Sequence, residues 1–121
     1  MEKRKSIGQQ GEAAVFLLDK LPEGMKTKAA ERTATGLAII SHSEKGHHHV
    51  IADGDVEVLE RTDNVPAGMQ ILYAIVKNPT ALKQDAAVPH ETIALAEPGI
   101  YEFRVSREVD PFSEQVRRVA D

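Results

Sequence analysis

The sequence predicts a mainly β domain, a single small barrel or sandwich built around a β meander and closed by a short C-terminal helix. Short apolar runs bounded by glycine and proline, an alternating segment at 101–105 and the hairpin dipeptide Asp53-Gly54 carry that reading. A chain of 121 residues is the common size of one domain, and neither a repeat nor a linker divides it. Residues 1–12 read as a polar N-terminal arm and 13–121 as the single β domain.

The elements follow in order. Residues 13–18, Ala-Ala-Val-Phe-Leu-Leu, lie between Gly11 and the Pro22-Glu23-Gly24 turn, a run short enough for a buried strand. From 25 to 35, Lys, Thr, Ala and Glu succeed one another without a period, which reads as a surface loop with at most one helical turn. Leu37, Ala38, Ile39 and Ile40 lead through Glu44-Lys45-Gly46 into a strand at 47–52, with Gly46 as the left-handed residue of a bulged hairpin loop. Asp53-Gly54 then predicts a two-residue hairpin to a strand at 56–60, so that three consecutive strands make the meander.

Residues 69–76 are apolar on both faces and predict a central strand. Asn78-Pro79 ends it, because proline has no amide to give a ladder. Residues 80–89 read as a loop, 92–95 as a short strand with Ile93 and Leu95 on one face, and Glu97-Pro98-Gly99 as a type II turn. In the last strand Tyr101, Phe103 and Val105 face the core, while Glu102, Arg104 and Ser106 face water. Asp110 caps the C-terminal helix, Pro111 takes its first position, and Phe112, Val116 and Val119 follow at helical spacing.

Composition narrows the function. A net charge of −4 argues against a protein that reads the nucleic-acid backbone, and two Tyr, three Phe and no Trp leave little for base stacking. With no cysteine, neither a disulfide framework nor a thiolate metal site is available. The apolar run at 13–18 is too short for a signal-peptide core or a membrane span. The expectation is a cytoplasmic protein, or one carried in an assembly, with no membrane partner.

Four of the five histidines, His42, His47, His48 and His49, crowd one short stretch. On a strand His47 and His49 share a face and His48 takes the other, and a short hairpin loop brings His42 near either. Imidazoles at i and i+2 can ligate one ion from a single strand, and His90 with Glu91 opens another strand with further ligands. His42, His47, His49, His90 and Glu91 are therefore the candidate ligands of a divalent metal, an arrangement like two histidines and a carboxylate. The same residues also read as a solvated turn, or as a contact that gains charge in mild acid. No catalytic constellation is complete. Ser41 and Ser43 lack an orienting acid and oxyanion donors, and Glu108, Asp110 and Glu114 sit where acids favour a helix N-terminus.

Ser43-Glu44-Lys45-Gly46-His47-His48-His49-Val50 and Pro98-Gly99-Ile100-Tyr101-Glu102-Phe103, running on to Arg107-Glu108-Val109-Asp110-Pro111, resemble segments of an uncharacterised family of small β proteins from bacterial and phage genomes. His90-Glu91 ahead of Ile93 and Leu95 is similar to that family's approach to its penultimate strand. Where the family reads Gln-Arg-Glu-Tyr, this chain has Ser106-Arg107-Glu108-Val109. The resemblance covers about a quarter of the chain; it implies a β fold and a shared use of the His47 region, and it names no reaction. Together with the missing catalytic motifs it points to a non-catalytic module of a larger assembly, such as a phage capsid decoration protein of the virion, and to a homo-oligomer. Lys3, Arg4 and Lys5 would then meet an acidic surface on a neighbouring protein subunit while Ile7 anchors the arm. The alternative is that the arm adds an edge strand to its own sheet.

Overall fold

The computed structural model describes residues 4–42, 48–84 and 92–106. Among these residues ten strands follow one another: β1 (Arg4–Gln10), β2 (Ala13–Leu18), β3 (Thr27–Ala29), β4 (Ile39–Ser41), β5 (His49–Ile51), β6 (Glu57–Arg61), β7 (Met69–Val76), β8 (Thr80–Gln84), β9 (Ile93–Leu95) and β10 (Gly99–Ser106). A six-stranded sheet runs β1-β2-β10-β7-β6-β3 and a four-stranded sheet runs β4-β5-β8-β9. Every strand pair is antiparallel, no described residue is helical, and neither sheet closes into a barrel. The arrangement is sandwich-like. The C-terminal helix expected from Asp110 and the bulged loop expected at Gly46 both lie outside the described residues.

Side-chain alternation explains the layering. Phe103 stands opposite Val15 on β2 and Leu72 on β7, and all three are buried, as are their inward neighbours Tyr101, Val105, Ala13 and Ala74. Ile40, Ile51, Leu82 and Leu95 of the four-stranded sheet complete the same cluster from the other side. Two apolar faces are thus removed from water against each other, at roughly 1.5–3 kcal/mol for each large side chain.

The meander expected at 37–60 does not form. β4 and β5 do pair, but β5 takes β8 as its second neighbour, and β6 joins the other sheet between β3 and β7. Asp53-Gly54 is therefore part of a crossover between sheets. Gly54 does not adopt the positive φ that a type I′ turn demands. The crossover is held by Arg32, whose guanidinium donates to the carbonyls of Gly36 (2.7 Å), Gly54 (2.9 Å) and Val56 (2.8 Å). Pro98-Gly99 likewise carries the chain from β9 in one sheet to β10 in the other. Gly99 has φ 154°, far from the value near +80° of a type II turn.

Two strands lie where loops were expected. Residues 80–84 are β8, tied between β5 and β9, with Leu82 fully buried. Residues 27–29 are β3, an exposed edge strand whose side chains carry no burial pattern to betray it.

Residues 4–10 of the segment set apart as an arm form β1, a strand of the domain's own six-stranded sheet. The two-residue loop Gly11-Glu12 joins it to β2, with positive φ at Gly11 alone (56°), the pattern of a type II′ turn. Ser6 pairs with Phe16 and Gly8 with Val15, so Ile7 is an extra residue on β1, a bulge. That residue switches the strand's facing. Arg4 and Ser6 stand on the outer side with Leu18 and Phe16, whereas Gly8 and Gln10 stand on the inner side with Val15 and Ala13. Without the bulge, Arg4 and Gln10 would share a face.

Deleting residues 1–10 would remove Ile7 from the core, take Gln10 from between the sheets and leave β2 as an unprotected edge. The expected result in urea titration is a loss of about 3 kcal/mol or more, or outright unfolding; an unchanged midpoint would show that β1 adds nothing to the fold.

Candidate functional site

The outer face of the six-stranded sheet holds a buried carboxylate. Glu102 sits mid-strand on β10, between Phe16 on β2 and Tyr73 on β7, and is 1% exposed. Sequence alternation placed it in water; the structure places it among cations. Arg104 Nε donates to Glu102 Oε1 at 2.8 Å, and Arg4 Nη2 lies 3.1 Å from the same oxygen and 3.4 Å from Oε2. Arg4 reaches Glu102 diagonally across the Phe16 ring, its guanidinium carbon 5.2 Å from the ring centroid. Burying a carboxylate is costly unless it is paired and hydrogen-bonded, and here two guanidiniums from different strands meet that requirement.

Around this cluster the outer face is apolar. Leu18, Ile71 and Tyr73 are buried, and Phe16, Leu21, Met25, Val65, Met69 and Ile100 pack against them partly exposed. The loops 19–26 and 62–68 supply part of the cover and are tied together. The Lys26 amide donates to Asp63 Oδ1 (3.0 Å) and the Thr62 amide to the Lys26 carbonyl (2.8 Å). The Lys26 amide above all, and after it Arg61, holds the Asp63 carboxyl below its ordinary range although burial pushes the other way.

On the inner side a second polar contact joins the sheets. His49 Nδ1 lies 2.6 Å from Gln10 Oε1, and Gln10 Nε2 donates to the Leu82 carbonyl at 3.1 Å. Since the amide oxygen only accepts, His49 donates through Nδ1. One residue of β1 thus bonds to β5 and β8 of the opposite sheet, all within the buried region.

The histidines of the candidate metal set have different neighbourhoods. His49 is 7% exposed and committed to Gln10. His42 is half-exposed, with Nε2 3.1 Å from Glu31 Oε2 and its ring edge-on to His48 at 5.0 Å. His47, His90 and Glu91 lie outside the described residues. Among the described residues no group of three or more His, Cys, Asp or Glu side chains is placed to hold a metal ion. Of the assembly set, Arg4 is ion-paired within its own domain, Ile7 packs against the core and Lys5 is exposed on the β1 edge; Lys3 lies outside the described residues.

Sequence reasoning missed Gln10, Glu102 and Arg104. Glu102 flanked by Tyr101 and Phe103 looked like an ordinary solvent position, and only the apolar outer face of β7 hinted that the neighbouring strand is covered on both sides.

The model of one protein family, described as a domain of unknown function (DUF8820), matches residues 9–106. The chain belongs to that family. A comparison with curated proteins finds no match, and no solved structure matches either. The matched region ends where β10 ends and takes in both Gln10 and Glu102, while Arg4 precedes it.

The two tyrosines of the chain, Tyr73 and Tyr101, give the site a pH signature. Burial, and for Tyr73 also the charge of Glu102, pushes both phenols above the ordinary value of 10.0. Unfolded tyrosines lose their protons from that value upward while the native ones keep them, so stability is complete below about pH 10 and falls as pH rises beyond it. Among the described residues no hydrogen bond of good geometry reaches the Tyr73 hydroxyl, although Glu102 and Arg61 are close enough to act on its ionisation. Tyr73→Phe should therefore leave stability near pH 8 within about 1 kcal/mol of the parent and lessen the alkaline loss. Urea titrations at the two pH values, with the phenolate absorbance followed in parallel, check both; a large loss at neutral pH would assign the hydroxyl a bond.

Proposed function

We propose that this domain is a non-catalytic interaction module that builds into a larger protein assembly, of the kind a virion decoration protein forms, through the edge presented by β1. The observation that supports this most is the character of that edge. Its first residues, Arg4, Lys5 and Ser6, are exposed, and among the described residues no strand pairs with its outer side. The strand itself is held by the β2 ladder, by Gln10 and by the Arg4–Glu102 ion pair. An edge held this firmly loses little freedom on pairing, which favours strand addition by a partner. Lys5 beside it favours an acidic partner surface, and a second copy of a chain with net charge −4 offers one. The charges and the bulge at Ile7 also blunt indiscriminate edge pairing, so the contact is selective.

Sedimentation and native mass measurements of the whole chain at low and high salt test this. The expected outcome is self-association that weakens with salt and by about tenfold on Lys5→Glu, which corresponds to about 1.4 kcal/mol. A monomer at every concentration, or association indifferent to Lys5→Glu, removes the β1 edge as the contact.

The second reading, a divalent-metal protein using His42, His47, His49, His90 and Glu91, gains support from one local feature. His42 and His48 are ring neighbours, and Glu31 is in contact with His42. Neutral imidazole is the ligating form, so affinity would fall as pH drops below about 6. An upward melting shift on adding zinc, abolished by His42→Ala, is the expected result; no shift with zinc, nickel or manganese ends this reading.

A further inference from the structure

On the far side of the six-stranded sheet from β1 lies a cleft of about 380 Å³, set where β6 begins, β7 ends and two of the crossovers pass. Asp53, Asp55 and Glu57 line it with carboxylates, Val56 and Ile75 give it an apolar wall, and Lys77 is the one cation among its lining residues. Three carboxylates against one ammonium leave the cleft two charges negative. All three acids are exposed, and none of their side chains has a hydrogen bond or ion pair among the described residues. The cleft therefore combines unspent negative charge with an aliphatic wall, the two features that a lysine side chain matches with its ammonium and its methylene stem.

Strand register relates this cleft to the β1 edge. Arg4 stands opposite Leu18, Leu18 opposite Ile100, Ile100 opposite Ile75, and Ile75 opposite Glu57. The next row runs from Lys5 through Leu17, Tyr101 and Ala74 to Val58. The basic start of β1 and the acidic start of β6 thus occupy the same level at opposite sides of one sheet. β3 lies beside Leu59, Glu60 and Arg61 only, so among the described residues no strand lies beyond Glu57. Four strand spacings separate β1 from β6, about 19 Å. Lys5 cannot cross that distance to the cleft of its own molecule.

We propose that the cleft at Asp53, Asp55 and Glu57 receives Lys5 from the β1 edge of a second copy of this chain. The inference rests on the assembly reading and names the partner surface of that same edge. Moving one molecule sideways by the width of its six-stranded sheet brings its Lys5 level with Glu57 of the next, without a change of tilt. The contact joins two different surfaces, so every copy offers one of each, and association runs on into a ring or an open chain. A two-fold pairing of β1 with β1 would leave the acidic cleft unused and stop at a dimer.

Charge reversal in the whole chain tests this by sedimentation. Lys5→Glu and Glu57→Lys should each weaken self-association by about tenfold, and the chain carrying both changes, which keeps the net charge of −4, should regain most of the loss. Glu12→Lys, the same change of net charge at the other end of the strands, should leave association as it was. An equimolar mixture of the two single variants should form a dimer and grow no further, since each partner retains one working surface. Association that depends on Lys5 but ignores Glu57→Lys overturns this inference and leaves the β1 edge as a contact. Equal weakening by Glu12→Lys, or no recovery in the doubly changed chain, also overturns it. A parent chain that stays monomeric removes this inference and the assembly reading together.

Discussion

The middle strands of the six-stranded sheet are buried on both faces, and the rest of the molecule is arranged around that constraint. β7 and β10 place Leu72, Ala74, Phe103 and Val105 inward and Ile71, Tyr73 and Glu102 outward, all out of water. A sheet buried on two sides needs two covers. The inner cover is the four-stranded sheet, reached by crossovers at Asp53-Gly54, Asn78-Pro79 and Pro98-Gly99. The outer cover is made from loops, and it is there that a carboxylate came to be buried between two arginines.

β1 serves both covers because of one extra residue. The bulge at Ile7 turns Arg4 outward to Glu102 and Gln10 inward to His49 and Leu82, so a single edge strand is tied to the ion cluster on one face and to the opposing sheet on the other. The two ties differ in kind. Arg4–Glu102 is charge-assisted and partly open to solvent, with Arg104 sharing the load, whereas Gln10–His49 is neutral-acceptor hydrogen bonding in a dry setting, where an unmatched group would cost about 1–3 kcal/mol. With the β2 ladder along its length and these two ties, β1 is firmly held for an edge strand.

The histidine stretch shows how two neighbouring residues of one type acquire different work. Strand alternation sends His49 inward to Gln10, and His48, one step earlier, meets the His42 ring near the surface beside Glu31. Consecutive histidines were expected to face apart, and His48 and His49 do. What alternation does not reveal is which face is the core, and that places His49 in the interior as a structural donor.

Sequence alone determined the mainly β class, the bounds of β2 and β7, the short strand at β9 and the inward set Tyr101, Phe103 and Val105, because period-two patterning and the absence of an amide in proline act locally. It did not determine which strand pairs with which. Asp53-Gly54 has the composition of a hairpin turn, yet β5 finds β8 on its second edge, where Ile51 and Leu82 join the core that closes over β7 and β10. β3 and β8 were illegible for the same reason: their residues carry little pattern of their own and become strands through the partners they meet. The Arg4–Glu102 pair joins residues 98 positions apart, and the Gln10–His49 bond joins residues 39 apart. Contacts at that separation exist only once the sheets have formed, so the polar ties of this molecule belong to its tertiary structure.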